Sequence, residues 1–249
     1  MLDRRGFLIG AMACPICAAA ARGEGAAQWD YEGAEGPKDW GELDPGYRAC
    51  SVGCQQSPID ITETIPARLP WISLNWRPQA FEIANNGHTI QANVAPGSFA
   101  QIGPNRYELK QFHFHRPGEH ALNGKRTAME AHFVHANDQG KLAVLGVLMV
   151  AGPRNPLFAE IMKVAPSSPG EAKLKGPAYA QALLPRRGGL FFRYEGSLTT
   201  PPCAETAEWN VYLDPVAVAQ ADIDAFAKIF ANNSRPLQPA NRRFILRSF

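Results

Sequence analysis

From about Trp71 onward the chain alternates apolar and polar residues over short stretches, the period-two pattern of strands with one buried face. Phe81-Glu82-Ile83-Ala84 and the segment His88 to Val94 flank Asn85-Asn86-Gly87, a turn signal that predicts a hairpin. Gln111 to His115, Glu130 to Val134 and Leu142 to Val150 read as further strands. The last is almost unbroken in its apolar character, as a central strand covered on both faces requires. Helical periodicity is scarce. Asn155-Pro156 predicts the cap of a short helix ending before Pro166, and Asp222 predicts the cap of another with Ile223, Phe226, Ala227 and Phe230 on one face. Residues 22–58 are rich in Gly, Pro and polar groups around Trp29, Tyr31 and Trp40, an irregular arm laid over a core. No internal repeat, linker or low-complexity tract interrupts the pattern. The expected fold is mainly β (α+β), one domain dominated by sheet.

Composition changes this picture little. The 249 residues are 45% hydrophobic and 19% charged, so a substantial core is affordable, and 22 Gly with 21 Pro suit many turns. The net charge is +2 with both signs scattered, which gives nucleic acid no basic block to bind. The first residues stand apart. Arg4-Arg5 precede an apolar run from Phe7 to Ala21, shorter than the ~20 residues that span a bilayer. Residues 1–21 therefore read as a cleaved export signal of the twin-arginine type, leaving a soluble mature chain of residues 22–249 without a membrane span.

Export alters how the five cysteines are read. Cys14 and Cys17 fall in the leader, and their spacing is incidental. Cys50, Cys54 and Cys203 remain, enough for one disulfide and one spare thiol in an oxidising compartment. Spacing alone leaves open whether Cys50 or Cys54 pairs with Cys203.

All six histidines lie between residues 88 and 135. Strand alternation puts Gln111, His113 and His115 on one face of the first segment, and Glu130, His132 and Val134 on one face of the second. If the two strands are neighbours in register, three imidazoles converge. Three neutral nitrogen ligands with an open fourth position are what catalytic zinc requires. Gln111 and Glu130 stand where they accept the outer N–H of a ligand imidazole, and Phe112 and Phe114 would bury the opposite face. Ser197-Leu198-Thr199-Thr200-Pro201-Pro202 adds two hydroxyls on a rigid turn. A threonine held by a carboxylate such as Glu119 can accept the hydrogen of a metal-bound hydroxide and so orient it.

These motifs together resemble the alpha-class carbonic anhydrases of the exported bacterial kind, from Trp29 to Phe249. The resemblance is carried by Tyr31 with Gly36-Pro37 and Trp40, by Gln56 to Ile61, by Asn85-Asn86-Gly87-His88, by the two histidine strands, by Ser197 to Pro202 and by Arg235 to Arg242. It implies a single domain with a large, mostly antiparallel twisted sheet and short peripheral helices. It implies reversible hydration of carbon dioxide to bicarbonate by zinc-bound hydroxide, with Zn2+ on His113, His115 and His132. Catalytic roles fall to Glu119 and Thr199, and His88 would shuttle the proton. Thr199 and Thr200 would contact bicarbonate, while Val134, Val144, Leu198 and Trp209 would line the carbon dioxide pocket. Tyr31 and Asn86 would order water, Gln111 and Glu130 would support the ligands, and His120 would serve as structural support near Glu119. His135 reads as a packed, hydrogen-bonded histidine. The resemblance also implies a Cys50–Cys203 disulfide and a cis bond before Pro202. Arg116-Pro117 follows the second ligand where animal relatives have Trp, and Gly118 replaces a frequent Ser, which predicts a looser loop before Glu119. The partners implied are the small-molecule substrate and, as an open choice, a second copy in a homodimer; the location is periplasmic or secreted. An inactive binding module of the same fold and a zinc esterase are the rival readings.

Overall fold

Two long strands send alternate side chains into two separate cores, and that division organises the chain. The computed structural model describes residues 27–185 and 189–249; the expected leader, with Cys14 and Cys17, lies outside the described residues. The first strands are short: β1 (Asp60–Ile61), β2 (Ile65–Pro66) and β3 (Ile72–Asn75). β4 (Glu82–Asn85) and β5 (Ile90–Asn93) form a hairpin, followed by β6 (Phe99–Ile102) and the long β7 (Asn105–His115). After the two-residue β8 (Ala121–Leu122) and β9 (Lys125–Arg126) come β10 (Met129–Ala136) and β11 (Leu142–Ala151). β12 (Gly170–Lys173), β13 (Phe191–Gly196), β14 (Ala207–Tyr212), β15 (Val216–Val218) and β16 (Leu246–Arg247) complete the set.

The main sheet runs β12-β4-β5-β7-β10-β11-β14-β13-β16-β2, with β3, β6 and β15 attached beside it. Most neighbours are antiparallel, as expected, but β11 pairs in parallel with β14 and β15, and β16 with β2. The sheet is therefore mixed at its centre. A parallel neighbour suits β11, because Leu142 to Met149 are all buried and both faces are covered. Leu145, Val147 and Met149 join one core with Phe112, Phe114 and Phe133, while Val144 and Leu148 join the other with Val134 and Trp209. The three phenylalanines are fully buried, each contributing roughly 1.5–3 kcal/mol by leaving water.

Helices cover the phenylalanine face. α1 (Trp40–Leu43) and α2 (Ala49–Val52) are single turns in the N-terminal arm; α3 (Pro156–Val164) and α4 (Gln220–Ile229) pack Phe158, Ile161, Ile223 and Phe226 into the core. Asn155 caps α3 as its sequence predicts, its side chain accepting from the amides of Leu157 and Phe158. Asp222 does not cap α4. Ala219 is the extended residue before the helix, and the Asp222 amide already donates to the Ala219 carbonyl, so the acidic residue sits inside the first turn. There it meets the positive end of the helix dipole.

The hairpin also differs from its predicted form. Asn85 pairs with Ile90, so the connection is Asn86 to Thr89 and His88 lies in the turn instead of in the strand. The Asn86 side-chain oxygen accepts from the amides of both His88 and Thr89 at 2.9 Å, and Gly87 takes the positive φ that the turn needs. Among the described residues no helix is long and apolar enough to cross a membrane.

Candidate metal centre

The antiparallel register of β7 and β10 places His132 opposite His113 and Glu130 opposite His115. All three imidazoles thus leave the sheet on the same face, away from the phenylalanines. Their ring centroids are 4.5–5.3 Å apart, and one ring nitrogen from each lies within 4.8 Å of the others. His115 and His132 are buried and His113 is half-buried.

Hydrogen bonds on the outer ring nitrogens decide which lone pairs face inward. His113 Nδ1 donates to Gln111 Oε1 at 2.8 Å, His115 Nδ1 to the Asn233 carbonyl at 2.8 Å, and His132 Nε2 to Glu130 Oε1 at 2.9 Å. Each imidazole therefore turns a bare nitrogen toward the same point: Nε2 of His113 and His115, Nδ1 of His132. Nε2 of His115 is buried with no hydrogen-bond partner. Burial lowers the pKa of His113 far below the ordinary value, with His115 and His132 adding repulsion, and burial lowers that of His115 as well. Three buried or half-buried imidazoles, each with its outer nitrogen committed and its inner nitrogen bare, form a donor set that fits a divalent cation of borderline softness.

Glu130 is the hub behind this trio. Its Oε1 also accepts from His120 Nδ1 at 2.7 Å, and its Oε2 from the His120 amide at 2.8 Å. Burial alone would raise its carboxyl, yet the charge and hydrogen bond of His120, then those of His132, hold it well below the usual carboxylate range. His120 Nε2 in turn lies 2.6 Å from the Tyr194 hydroxyl, which is 2.9 Å from Ser57 Oγ. His120, next in sequence to Glu119, thus has a structural role through Glu130 and Tyr194. Room for the Glu130 side chain comes from Gly146, opposite His132 on β11, where a Cβ would stand 3.2 Å from Oε1.

Glu119 is fully buried and receives the Arg235 amide on Oε1 at 2.8 Å; its Oε2 has no hydrogen-bond partner. The expected bond from Thr199 to Glu119 is therefore not made. Oε1 lies 3.7 Å from His115 Nδ1 and Oε2 3.9 Å from His132 Nδ1, so the carboxylate faces the imidazoles. Arg235 is buried too, its guanidinium donating to Gln56 Oε1 and to the carbonyls of Ser57 and Cys50, and burial lowers its pKa to about 10. The loop before Glu119 is tight where a looser one was expected. Gly118 is buried, its amide donates to the Thr127 carbonyl, and a Cβ there would come within 2.6 Å of Thr127 Oγ1.

Thr199 and Thr200 sit on a turn closed by two backbone bonds, Leu198 to Ala204 and Cys203 to Thr200. The Pro201–Pro202 bond is cis, as expected, and Ser57–Pro58 and Arg116–Pro117 are cis as well. Trp209 Nε1 donates to the Ser197 carbonyl, which ties the turn to β14. Beside the imidazoles, Val134, Val144 and Trp209 stand opposite one another across β10, β11 and β14, with Leu198 packed against them. The Trp209 ring centroid is 4.8 Å from that of His132, so this apolar wall borders the nitrogen cluster directly.

His88 is half-buried and stacks on Trp29, with ring centroids 3.8 Å apart and planes 10° from parallel. Burial lowers its pKa, opposed by the charge of Asp30. Tyr31 packs edge-on against Trp29 and Trp40, and burial, then Glu119, pushes its hydroxyl well above the ordinary range. His135 is away from the cluster, its Nδ1 donating to the Phe133 and Ala143 carbonyls. Cys50 and Cys203 form a disulfide and Cys54 is an exposed thiol.

Asn233 escaped the sequence reading. Besides holding His115 it donates to the His88 and Phe114 carbonyls and accepts the Arg116 amide, joining the His88 turn and the end of β7 to the C-terminal region. Its position two residues before Arg235-Pro236 was the available signal.

Residues 35–249 match the family model described as eukaryotic-type carbonic anhydrase. The chain is 41% identical to a carbonic anhydrase of Neisseria gonorrhoeae, over 94% of this chain and 93% of that protein. It is 32% identical to dioscorin DB3L of Dioscorea polystachya, over 84% and 81% of the two chains. Among solved structures, the alpha carbonic anhydrase of Thermovibrio ammonificans, in complex with the inhibitor sulfanilamide, superposes with a TM-score of 0.87 at 40% identity, covering 89% of this chain and all of that one.

Proposed function

Because the chain belongs to the eukaryotic-type (alpha) carbonic anhydrase family, we propose that it hydrates carbon dioxide reversibly to bicarbonate and a proton at a zinc site formed by His113, His115 and His132. The observation that carries this reading is the set of three inward lone pairs, one of them, His115 Nε2, buried without any partner. An unpaired buried nitrogen costs about 1–3 kcal/mol, a penalty that coordination removes. When bound, zinc supplies Lewis acidity that makes hydroxide available near neutral pH, a property for which carbonic anhydrases are the standard case.

The chain's own groups do the rest. Gln111, Glu130 and the Asn233 carbonyl hold each imidazole in the tautomer that leaves its inner nitrogen bare. Oε2 of Glu119, which has no partner among the described residues, is free to accept the Thr199 hydroxyl proton once that side chain turns toward it. A threonine committed in that way is left to accept a hydrogen from the nucleophile, which aims the nucleophile's lone pair at the substrate carbon. Thr200 donates to the bicarbonate that forms. Val134, Val144, Leu198 and Trp209 keep water from the space where carbon dioxide, itself apolar, approaches. His88 accepts the departing proton and releases it to buffer, with Tyr31 and Asn86 ordering the water between. A family member named dioscorin has the same frame, so the reading rests on the donor set and not on the fold. The disulfide fits an oxidising compartment, and export ahead of residue 22 is proposed with it.

Stopped-flow hydration of carbon dioxide, with chelator and after zinc is restored, tests the proposal. Activity should vanish on chelation, return with zinc, and be lost with the bound metal in His113→Ala. Zinc-loaded protein inert toward carbon dioxide would leave the binding-module reading, and ester hydrolysis without hydration would leave the esterase.

A further inference from the structure

Tyr194, whose hydroxyl meets His120, also forms part of the wall of a groove of about 580 Å3 at the β16–β2 edge of the sheet. Ile65, Phe244 and Leu246 supply the other apolar walls. Two of these side chains are exposed, Phe244 to 74% and Ile65 to 46%, an uncommon cost for apolar groups flanking a concave surface. The charge lining the groove is one-sided: Arg193, Arg242 and Arg243 against the single carboxylate of Glu195. Two of the arginines are already engaged. Arg193 pairs with Glu208, and Arg243 donates to the carbonyls of Gln56, Glu195, Pro239 and Ala240 while lying over the Tyr194 ring. Arg242 is exposed and makes no hydrogen bond or ion pair among the described residues.

We propose that this groove binds an amphipathic monoanion, a carboxylate carried on an apolar chain, with the tail along Ile65, Phe244 and Leu246 and the head on Arg242. The volume lies within the roughly 300–1,000 Å3 typical of small-molecule sites. With Arg193 neutralised by Glu208 and Glu195 set against the engaged Arg243, the surplus cation is Arg242, which selects against cationic head groups. The guanidinium fork of Arg242 matches a carboxylate in a bidentate manner. A concave groove with a buried tyrosine in its wall suits a single tail and not a flat bilayer.

Calorimetric titration of the zinc-loaded protein with dodecanoate, below its micelle concentration, tests the assignment. One dodecanoate should bind per chain. Arg242→Glu and Phe244→Asp should each weaken binding at least tenfold, and dodecyltrimethylammonium, with the same tail and the opposite charge, should bind at least tenfold more weakly. Both substitutions are at exposed positions, and circular dichroism verifies the fold of each variant. Unchanged affinity in either variant, which is also what binding at the metal centre would give, overturns the proposal. So does equal affinity for the two amphiphiles, or several dodecanoates per chain. Binding only to anionic vesicles overturns it in favour of a membrane surface, and a sedimenting dimer that Phe244→Asp dissociates overturns it in favour of a second copy.

Discussion

His88 shows what a single side chain gains from its surroundings. Its stack on Trp29 removes water from one ring face, and burial lowers its pKa below the ordinary 6.5. In the proposed role of proton acceptor His88 works only when neutral, so in weak buffer turnover should rise with pH through an inflection below 6.5. Trp29→Ala re-exposes the ring, and the inflection should move upward toward the unperturbed value. His88→Ala should slow turnover at least about tenfold in dilute buffer, with added imidazole restoring much of it. A Trp29→Ala profile superimposable on the parent's would sink this account. The partner of each outer ring nitrogen was legible only when it lay two residues away on the same strand face, as Gln111 does from His113 and Glu130 from His132. Asn233 holds His115 from 118 residues away, and no local pattern announces such a contact.

At the scale of elements, the histidine cluster is a consequence of register. A shift of one residue between β7 and β10 would turn His132 to the phenylalanine face and break the convergence, while Phe112, Phe114 and Phe133 resist that shift because they fill the core behind. The loop that carries Glu119 depends on a close approach that composition does not reveal. Thr127 Oγ1 is held by its bond to the Met129 carbonyl at 2.8 Å and cannot easily yield to a side chain at Gly118. Gly118→Ser should therefore destabilise the protein by about 1–3 kcal/mol, as overpacking does, and reduce hydration by displacing Glu119. Denaturant unfolding reads the first effect, and an unchanged midpoint would show that the loop has slack. The hairpin turn went the other way: Asn85 joined the ladder, and His88 was lifted from the strand into the turn, where the Asn86 side chain fixes it.

At the scale of the whole molecule, the Cys50–Cys203 disulfide closes a separation of 153 residues and ties the N-terminal arm to the turn bearing Thr199 and Thr200. Cys50→Ser should cost about 2–5 kcal/mol of stability, whereas Cys54→Ser, at an exposed free thiol, should leave the unfolding midpoint within error. Equal effects from the two would mean that the bridge constrains little. The geometry of the histidine site draws on parts equally far apart: Arg235 positions Glu119 across 116 residues. The sequence by itself determined the strand alternation, the facing of three histidines and two supporting side chains, the cap of α3, and the family. Those features are written in neighbours one to four residues apart, where backbone geometry alone dictates direction. Only the tertiary structure decided the parallel pairing of β11 with β14, the attachment of His120 to Glu130, the tight packing at Gly118 and the grip of Asn233 and Arg235 on the site. Each of these depends on segments distant in the chain meeting in space, and what selects among such meetings is the packing of the whole core, which no local period encodes.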